Sequence, residues 1–147
     1  MLKRRAFIKQ AAVGTTAAAF YTSGFPSFLF KKKKERLGVA LVGLGYYSTD
    51  LLAPALQLTQ YCHLAGIITG SPEKAERWQK KYNLASKNIY NYDNFDRIAD
   101  NPDIDVVYVV LPRDMHRQYT VRAAAAGKHV WCEKPMAMTA AECEAMI

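Results

Sequence analysis

Hydrophobic and polar positions follow a regular alternation from residue 37 to the end of the sequence. Short apolar runs, which predict buried strands, alternate with segments that have helical periodicity. The apolar runs cover residues 37–42, 63–69, 88–90, 106–111 and 128–132, and the helical segments cover 50–60, 71–82, 94–100, 115–126 and the residues from 139 onward. Strands that alternate with helices in this way predict an α/β fold, with a parallel sheet covered by helices on both faces.

Thr139 and Glu142 have the spacing of a capping box, which predicts the start of the last helix. The sequence then reaches Ile147 without the glycine, asparagine or basic residue that commonly ends a helix. We therefore expect this helix to be cut at the end of the sequence and the chain to be the front part of a longer protein. Fraying of the last turn is the alternative.

The positive charge of the chain is concentrated in residues 1–36. The 147 residues carry a net charge of +7, yet this segment alone holds nine of the 20 lysines and arginines and one acidic residue. Residues 37–147 hold eleven basic and twelve acidic residues, so the body is almost neutral. It therefore lacks the charge excess that binds nucleic acid. Half of all residues are apolar, which excludes intrinsic disorder and collagen.

The first 30 residues have the layout of an export signal, with a basic start, an apolar middle and small residues. Arg4 and Arg5 resemble the pair of a twin-arginine signal, although Lys3 stands where serine or threonine is usual. We predict export to the bacterial periplasm by the twin-arginine machinery. An uncleaved membrane anchor is the alternative, because residues 10–30 provide 21 uncharged positions, enough to span a bilayer.

Cysteines and histidines are sparse in this sequence. Cys62, Cys132 and Cys143 are too few and too widely spaced for a disulfide framework or a metal-binding motif. We expect all three to be small buried apolar residues. The three histidines show no metal-ligand spacing either, and we predict no metal site.

A glycine-rich turn lies between the first strand and the first helix, which is the context of a dinucleotide-binding turn. Gly43 would allow the tight turn, Gly45 would let the backbone approach a pyrophosphate, and Ser48 replaces the usual third glycine. A plain strand-to-helix turn, as in a methyltransferase, is the alternative. The predicted cofactor residues of this turn are Gly43, Leu44, Gly45, Tyr46 and Tyr47.

Two further candidate segments follow the fourth and fifth strands. Ligands of parallel sheets bind beyond the carboxyl ends of the strands, and both segments fall there. His116 could contact cofactor or substrate, with a purely structural histidine as the alternative. Lys134 could donate a hydrogen bond to a substrate hydroxyl and stabilise negative charge on its oxygen, with a surface lysine as the alternative.

These motifs together resemble those of one family. Their order and spacing are similar to those of the glucose–fructose oxidoreductase, inositol dehydrogenase and MocA-like oxidoreductases over about residues 37–147. Residues 91–142 are most similar to the glucose–fructose oxidoreductase members. The motifs that carry the resemblance are Gly43-Leu-Gly45, Leu111-Pro112 with His116, Ala126-Gly-Lys-His-Val130 and Glu133-Lys134-Pro135.

The resemblance implies a Rossmann domain for a nicotinamide cofactor, followed by a second α/β domain that supplies much of the substrate pocket. It implies that Lys134 is the catalytic lysine and that its bond to Pro135 is often cis. The expected activity is hydride transfer to or from a sugar or cyclitol, and the full-length protein is expected to form a homo-oligomer. The alternative is a non-catalytic dinucleotide-binding remnant or an interaction module. The further cofactor residues are Leu111, Pro112, His116, Glu133 and Lys134.

The end of the second strand bears on the choice of cofactor. NAD-selective Rossmann domains usually carry an acidic residue there, and this sequence has none. Thr69 and Ser71 can donate hydrogen bonds to a phosphate, and Lys74 adds charge at the start of the following helix. We therefore predict NADP rather than NAD, an assignment that the resemblance supports. Glu73 could instead reach a ribose hydroxyl and permit NAD.

Overall fold

Five parallel strands form the centre of the structure, a computed structural model that describes residues 34–147. The strands lie in the order β3-β2-β1-β4-β5, and each neighbouring pair is parallel. From β1 the chain adds β2 and then β3 on one side of the sheet, and afterwards β4 and then β5 on the other side. The strand order therefore switches between β1 and β4. The predicted Rossmann-type sheet is confirmed, whereas the predicted export signal lies outside the described residues. The strands are β1 (Leu37–Val42), β2 (Cys62–Ile68), β3 (Ile89–Tyr90), β4 (Val106–Val109) and β5 (His129–Cys132).

Helices connect the strands and cover both faces of the sheet. On one face, Phe95 and Tyr119 pack with Val107 and Val109. On the other face, Trp78 packs with residues of β1 and β2 and is only 1% exposed. The helical segments are a π-helical turn (Tyr47–Leu52) that continues as α1 (Ala53–Leu58), α2 (Pro72–Tyr82), α3 (Arg113–Ala125) and α4 (Ala140–Glu144), with 3₁₀ turns at Ser86–Asn88 and Phe95–Asp100.

The first helix begins earlier than its predicted start at residue 50. The Ala53 amide donates to the carbonyl of Ser48, five residues before it, which is π-helical spacing. A proline offers no amide, and its ring crowds the carbonyl four residues earlier. The wide turn ahead of Pro54 accommodates that ring. The helical segment starts at Tyr47, two residues after Gly45.

The last helix begins as predicted but ends sooner. The Thr139 hydroxyl oxygen accepts a hydrogen bond from the Glu142 amide at 3.2 Å, as a capping residue does. The expected continuation to the end of the sequence is wrong, because α4 ends at Glu144. The amides of Met146 and Ile147 bond to carbonyls three residues back, and this tighter spacing closes the final turn.

The three cysteines are free and half-buried, so they are less enclosed than expected. Burial raises the pKa of the Cys132 thiol, which keeps it protonated near neutral pH.

Within residues 34–147, no three histidine, cysteine or acidic side chains lie close enough together to hold a metal ion. In the same part of the chain, no helix has both the length and the apolar character needed to cross a membrane.

Candidate functional site

Four turns meet at one edge of the sheet because parallel strands all end on the same side. Backbone hydrogen bonds extend the sheet into these turns. The Gly43 amide donates to the Ile68 carbonyl at 3.0 Å, and the Glu133 amide donates to the Val109 carbonyl at 3.1 Å. The segments that share this edge are the ones that the sequence singled out: residues 43–48, 69–74, 111–116 and 133–135.

Two glycines of the first turn have different surroundings. Gly43 has a φ of +92°, and a Cβ at this position would stand 2.4 Å from the carbonyl oxygen of Val110. Only glycine fits such a position without strain. A Cβ at Gly45, in contrast, would meet no heavy atom within 4 Å. The backbone of Gly45 therefore borders open space, as the approach of a ligand to this turn would require.

Hydroxyl groups hold the carbonyls of both glycines. Ser48 is fully buried, and its Oγ donates to the Gly43 carbonyl at 2.6 Å. The Oγ1 of Thr49 donates to the Gly45 carbonyl at 2.8 Å. The serine that replaces the third glycine thus contributes a hydrogen bond that glycine could not make. Of the other residues in this turn, Leu44 is buried, with 6% of the residue exposed. Tyr46 and Tyr47 are exposed to 73% and 41%.

The turn after β2 joins hydroxyl groups to a lysine. The Oγ1 of Thr69 accepts a hydrogen bond from the Ser71 amide at 3.2 Å. The Oγ of Ser71 accepts one from the Lys74 amide at 3.3 Å and caps α2. The Nζ of Lys74 donates to the Leu44 carbonyl at 3.2 Å. The lysine therefore places its positive charge between this turn and the glycine turn.

The ring of His116 is buried, with 1% of the residue exposed. Its Nε2 lies 2.8 Å from the Leu111 carbonyl oxygen, and its Nδ1 lies 3.0 Å from the Pro135 carbonyl oxygen. The side chain thus bridges the turns that follow β4 and β5. Both ring nitrogens face protein carbonyls, which is the arrangement of a structural histidine, and the expected contact of His116 with a ligand stays a prediction. Pro112, beside Leu111, is exposed at the edge.

Glu133 is held by its neighbours at the end of β5. Its Oε1 accepts a short hydrogen bond from the Tyr108 hydroxyl, and its Oε2 accepts one from the Lys134 amide at 3.2 Å. Burial and the Glu133 carboxylate raise the pKa of the Tyr108 phenol well above its ordinary value, and the Tyr47 hydroxyl contributes to this shift. Tyr108 therefore stays a neutral donor at physiological pH.

Lys134 is exposed, and its peptide bond to Pro135 is cis. No hydrogen bond or ion pair within residues 34–147 holds its ammonium group, whereas Lys74 is bonded to the glycine turn. The side chain is therefore available to a ligand at the carboxyl edge of the sheet.

Two residues of this site were not among those predicted. Ser48 was seen only as a replacement for glycine, and Tyr108 was counted as part of a buried strand. A signal for Tyr108 was present, because it is the one residue with a polar tip among the four valines of residues 106–110. Its partner could not be found in this way, since Glu133 lies in the turn after β5, 25 residues further on.

A separate groove of about 380 Å³ lies beside β3. None of the predicted site residues borders it. Its lining consists of Ser86, Lys87, Ile89, Tyr90, Asn94, Arg97, Asp100, Asn101 and Pro102.

Comparison with protein families gives a match over residues 37–147, which is the whole predicted body. The matching model is GFO_IDH_MocA, an oxidoreductase family with an NAD-binding Rossmann fold.

Individual relatives agree with this match. The crystal structure of an aldose-aldose oxidoreductase from Caulobacter crescentus, complexed with glycerol, is 50% identical, with a TM-score of 0.75, and the match covers 76% of this chain and 33% of that one. The structure of a 3-ketoreductase from Actinomadura kijaniata, in complex with TDP-benzene and NADP, is 25% identical, with a TM-score of 0.66. That match covers 76% of this chain and 34% of the ketoreductase. The D-xylose 1-dehydrogenase [NADP(+)] of Haloarcula marismortui is 30% identical over 74% of this chain and 30% of the dehydrogenase.

The chain spans about a third of the length of the relatives that it matches. The part that it spans contains all four turns described above.

Proposed function

The chain belongs to the GFO/IDH/MocA oxidoreductase family, and on this premise we propose that it binds NADP(H) for hydride transfer to or from a sugar or cyclitol. One observation carries the proposal: the glycine turn, the Thr69–Lys74 turn and the Glu133–Lys134 turn share the edge at which the strand order switches. Open α/β sheets bind their ligands at that place.

The residues present fit a dinucleotide in its three parts. Gly45 borders open space, so a pyrophosphate could approach the backbone of the glycine turn. Thr69, Ser71 and Lys74 would hold the adenosine end. When bound, the nicotinamide supplies the hydride chemistry, and the turn that contains Lys134 would lie beside it.

The preference for NADP is proposed from the charge at the end of β2. The Lys74 ammonium lies against the glycine turn, and the hydroxyls of Thr69 and Ser71 belong to the turn that leads into this lysine, where they accept from the amides of Ser71 and Lys74. A 2′-phosphate would therefore meet a cation and two hydroxyls, and the second strand ends without a carboxylate that would repel it. The xylose dehydrogenase among the relatives is named for NADP(+), and the 3-ketoreductase structure is a complex with NADP.

Replacing Lys74 by alanine should weaken NADPH binding about tenfold or more and leave NADH binding nearly unchanged, because one charge-assisted hydrogen bond to the phosphate is lost. The measurement is calorimetric titration of both cofactors. Lys80→Ala is the matched control, since Lys80 lies on the same helix and is paired with Glu76 at 2.7 Å. Tighter binding of NADH than NADPH to the unchanged chain, or equal losses for both cofactors in Lys74→Ala, would overturn the assignment.

Lys134 is the proposed catalytic residue. Its ammonium group would donate a hydrogen bond to the oxygen on the reacting carbon of the substrate. During reduction of a carbonyl this oxygen gains negative charge as the hydride arrives, and during oxidation of an alcohol it carries negative charge once its proton has left. A fixed cation therefore stabilises the transition state in either direction. The proposed substrates are sugars and polyols, since the relatives include an inositol 2-dehydrogenase and the xylose dehydrogenase. We propose a homo-oligomer for the full-length protein.

We propose further that the twin-arginine-type signal within residues 1–36, a segment that ends in a basic linker, directs export to the periplasm through the twin-arginine machinery. The proposal rests on Arg4, Arg5 and the apolar stretch after them. Changing both arginines to lysine should leave the protein in the cytoplasm, as judged by cell fractionation. Unchanged export of this variant would contradict the proposal. Recovery of the unaltered protein in the membrane fraction would support the uncleaved anchor.

A further inference from the structure

We propose that Tyr108 is a positioning residue, which holds Glu133 and, through it, the backbone of Lys134 in the arrangement that receives the nicotinamide half of the dinucleotide. This inference rests on the proposed function and adds a residue from the middle of the sheet to the site.

The sheet itself places Tyr108 within reach of Glu133. Tyr108 on β4 is paired with Trp131 on β5, and the two rings meet edge to face with centroids 5.6 Å apart. Side chains two residues apart on a strand point to the same face. Glu133, two residues after Trp131, therefore lies on the face that carries the phenol, and the Tyr108 hydroxyl donates to its carboxylate.

The carboxylate of Glu133 is engaged on both oxygens. One oxygen accepts from Tyr108, and the other accepts from the backbone amide of Lys134. The orientation of the carboxylate thereby fixes the peptide unit from which the Lys134 side chain projects. Without the phenol, the carboxylate could rotate away, and its bond to the Lys134 amide would no longer be held in place.

The surroundings suit Tyr108 to a permanent donor role. Burial and the adjacent carboxylate disfavour loss of its proton, so the hydroxyl continues to donate in the range where the enzyme would work.

The test separates the two halves of the cofactor. NADPH is titrated calorimetrically, in parallel with adenosine 2′,5′-bisphosphate, which contains only the adenine half and its 2′-phosphate. In Tyr108→Phe we expect NADPH to bind about fivefold to thirtyfold more weakly, as for the loss of one hydrogen bond to a carboxylate. The bisphosphate should bind as it does to the unchanged chain. The ring, and with it the contact to Trp131, is retained in this variant.

Two further variants identify the route of the effect. Tyr90→Phe is the matched control, because it also removes a tyrosine hydroxyl, which here accepts a hydrogen bond from Asn101 at 2.7 Å. This variant should leave the ratio of the NADPH affinity to the bisphosphate affinity unchanged. Glu133→Ala should reproduce the loss of NADPH affinity. Adding Tyr108→Phe to Glu133→Ala should then have no further effect, because the two residues act as one unit.

The outcomes are distinguishable. If the unchanged chain binds neither ligand, the proposed function fails and the inference fails with it. If the unchanged chain binds both, unchanged NADPH affinity in Tyr108→Phe overturns the inference alone. Equal weakening of both ligands would show a merely structural role and would also overturn it. Additive losses in the double variant would exclude action through Glu133.

Discussion

Replacing Gly43 by alanine should destabilise the domain by about 2–5 kcal/mol. The residue has a φ of +92°, a conformation that costs a side chain about 1–2 kcal/mol. The added Cβ would also stand 2.4 Å from the Val110 carbonyl oxygen, so β1 and β4 must shift apart, at an overpacking cost of about 1–3 kcal/mol. This loss is a large part of the 5–15 kcal/mol by which domains are commonly stable.

Urea unfolding followed by circular dichroism measures this effect, and Gly45→Ala is its matched control. The control makes the same chemical change two residues away, where a Cβ meets no heavy atom within 4 Å. Its stability should be unchanged or higher by about 0.4–1 kcal/mol, because alanine restricts the unfolded chain. The same methyl group should weaken NADPH binding, since it occupies the space proposed for the pyrophosphate. Equal stability of the two variants would show that the turn is not strained as described.

Lys134→Ala should lower turnover of the full-length protein by about two or more powers of ten while NADPH affinity stays within a few fold. The lysine is exposed at the carboxyl edge, and no side-chain partner within residues 34–147 depends on it, so its loss should not disturb the fold. The expected cost is that of losing one donor to an oxygen that becomes charged in the transition state.

Steady-state kinetics with NADP(H) and a panel of aldoses and cyclitols measures this effect. Lys128→Ala is a suitable control for the loss of a lysine near β5, because its Nζ bonds the Asn101 carbonyl at 2.9 Å. Near-normal turnover of Lys134→Ala would remove this residue from the proposed mechanism. A loss of NADPH binding as large as the loss of turnover would give it a binding role instead.

The sequence was sufficient to predict the sheet and the location of its turns. Each strand is a short apolar run, and a run such as that of β4 can be recognised without knowing its neighbours. The placement of residues 43–48 and 133–135 at one edge followed as well, because the ends of parallel strands coincide. These predictions depend on local pattern and on one topological rule.

The sequence did not reveal which side chains contact each other across strands. His116 lies in a helix and bonds the Pro135 carbonyl, 19 residues away, so its buried bridging role emerges only when α3 is packed on the sheet. The bond between Tyr108 and Glu133 likewise depends on the pairing of β4 with β5. The π-helical turn ahead of Pro54 depends on local crowding that periodicity does not record.

Binding of a nicotinamide dinucleotide at the carboxyl edge of the sheet is the basis of the proposed function. The most direct test is to assign the backbone amides of the isotope-labelled chain by NMR and to add NADPH in steps. We predict saturable shifts at Gly43, Gly45, Thr69 and Glu133, with little change in the groove beside β3. No saturable shift, or shifts confined to the groove residues 86–102, would contradict the account.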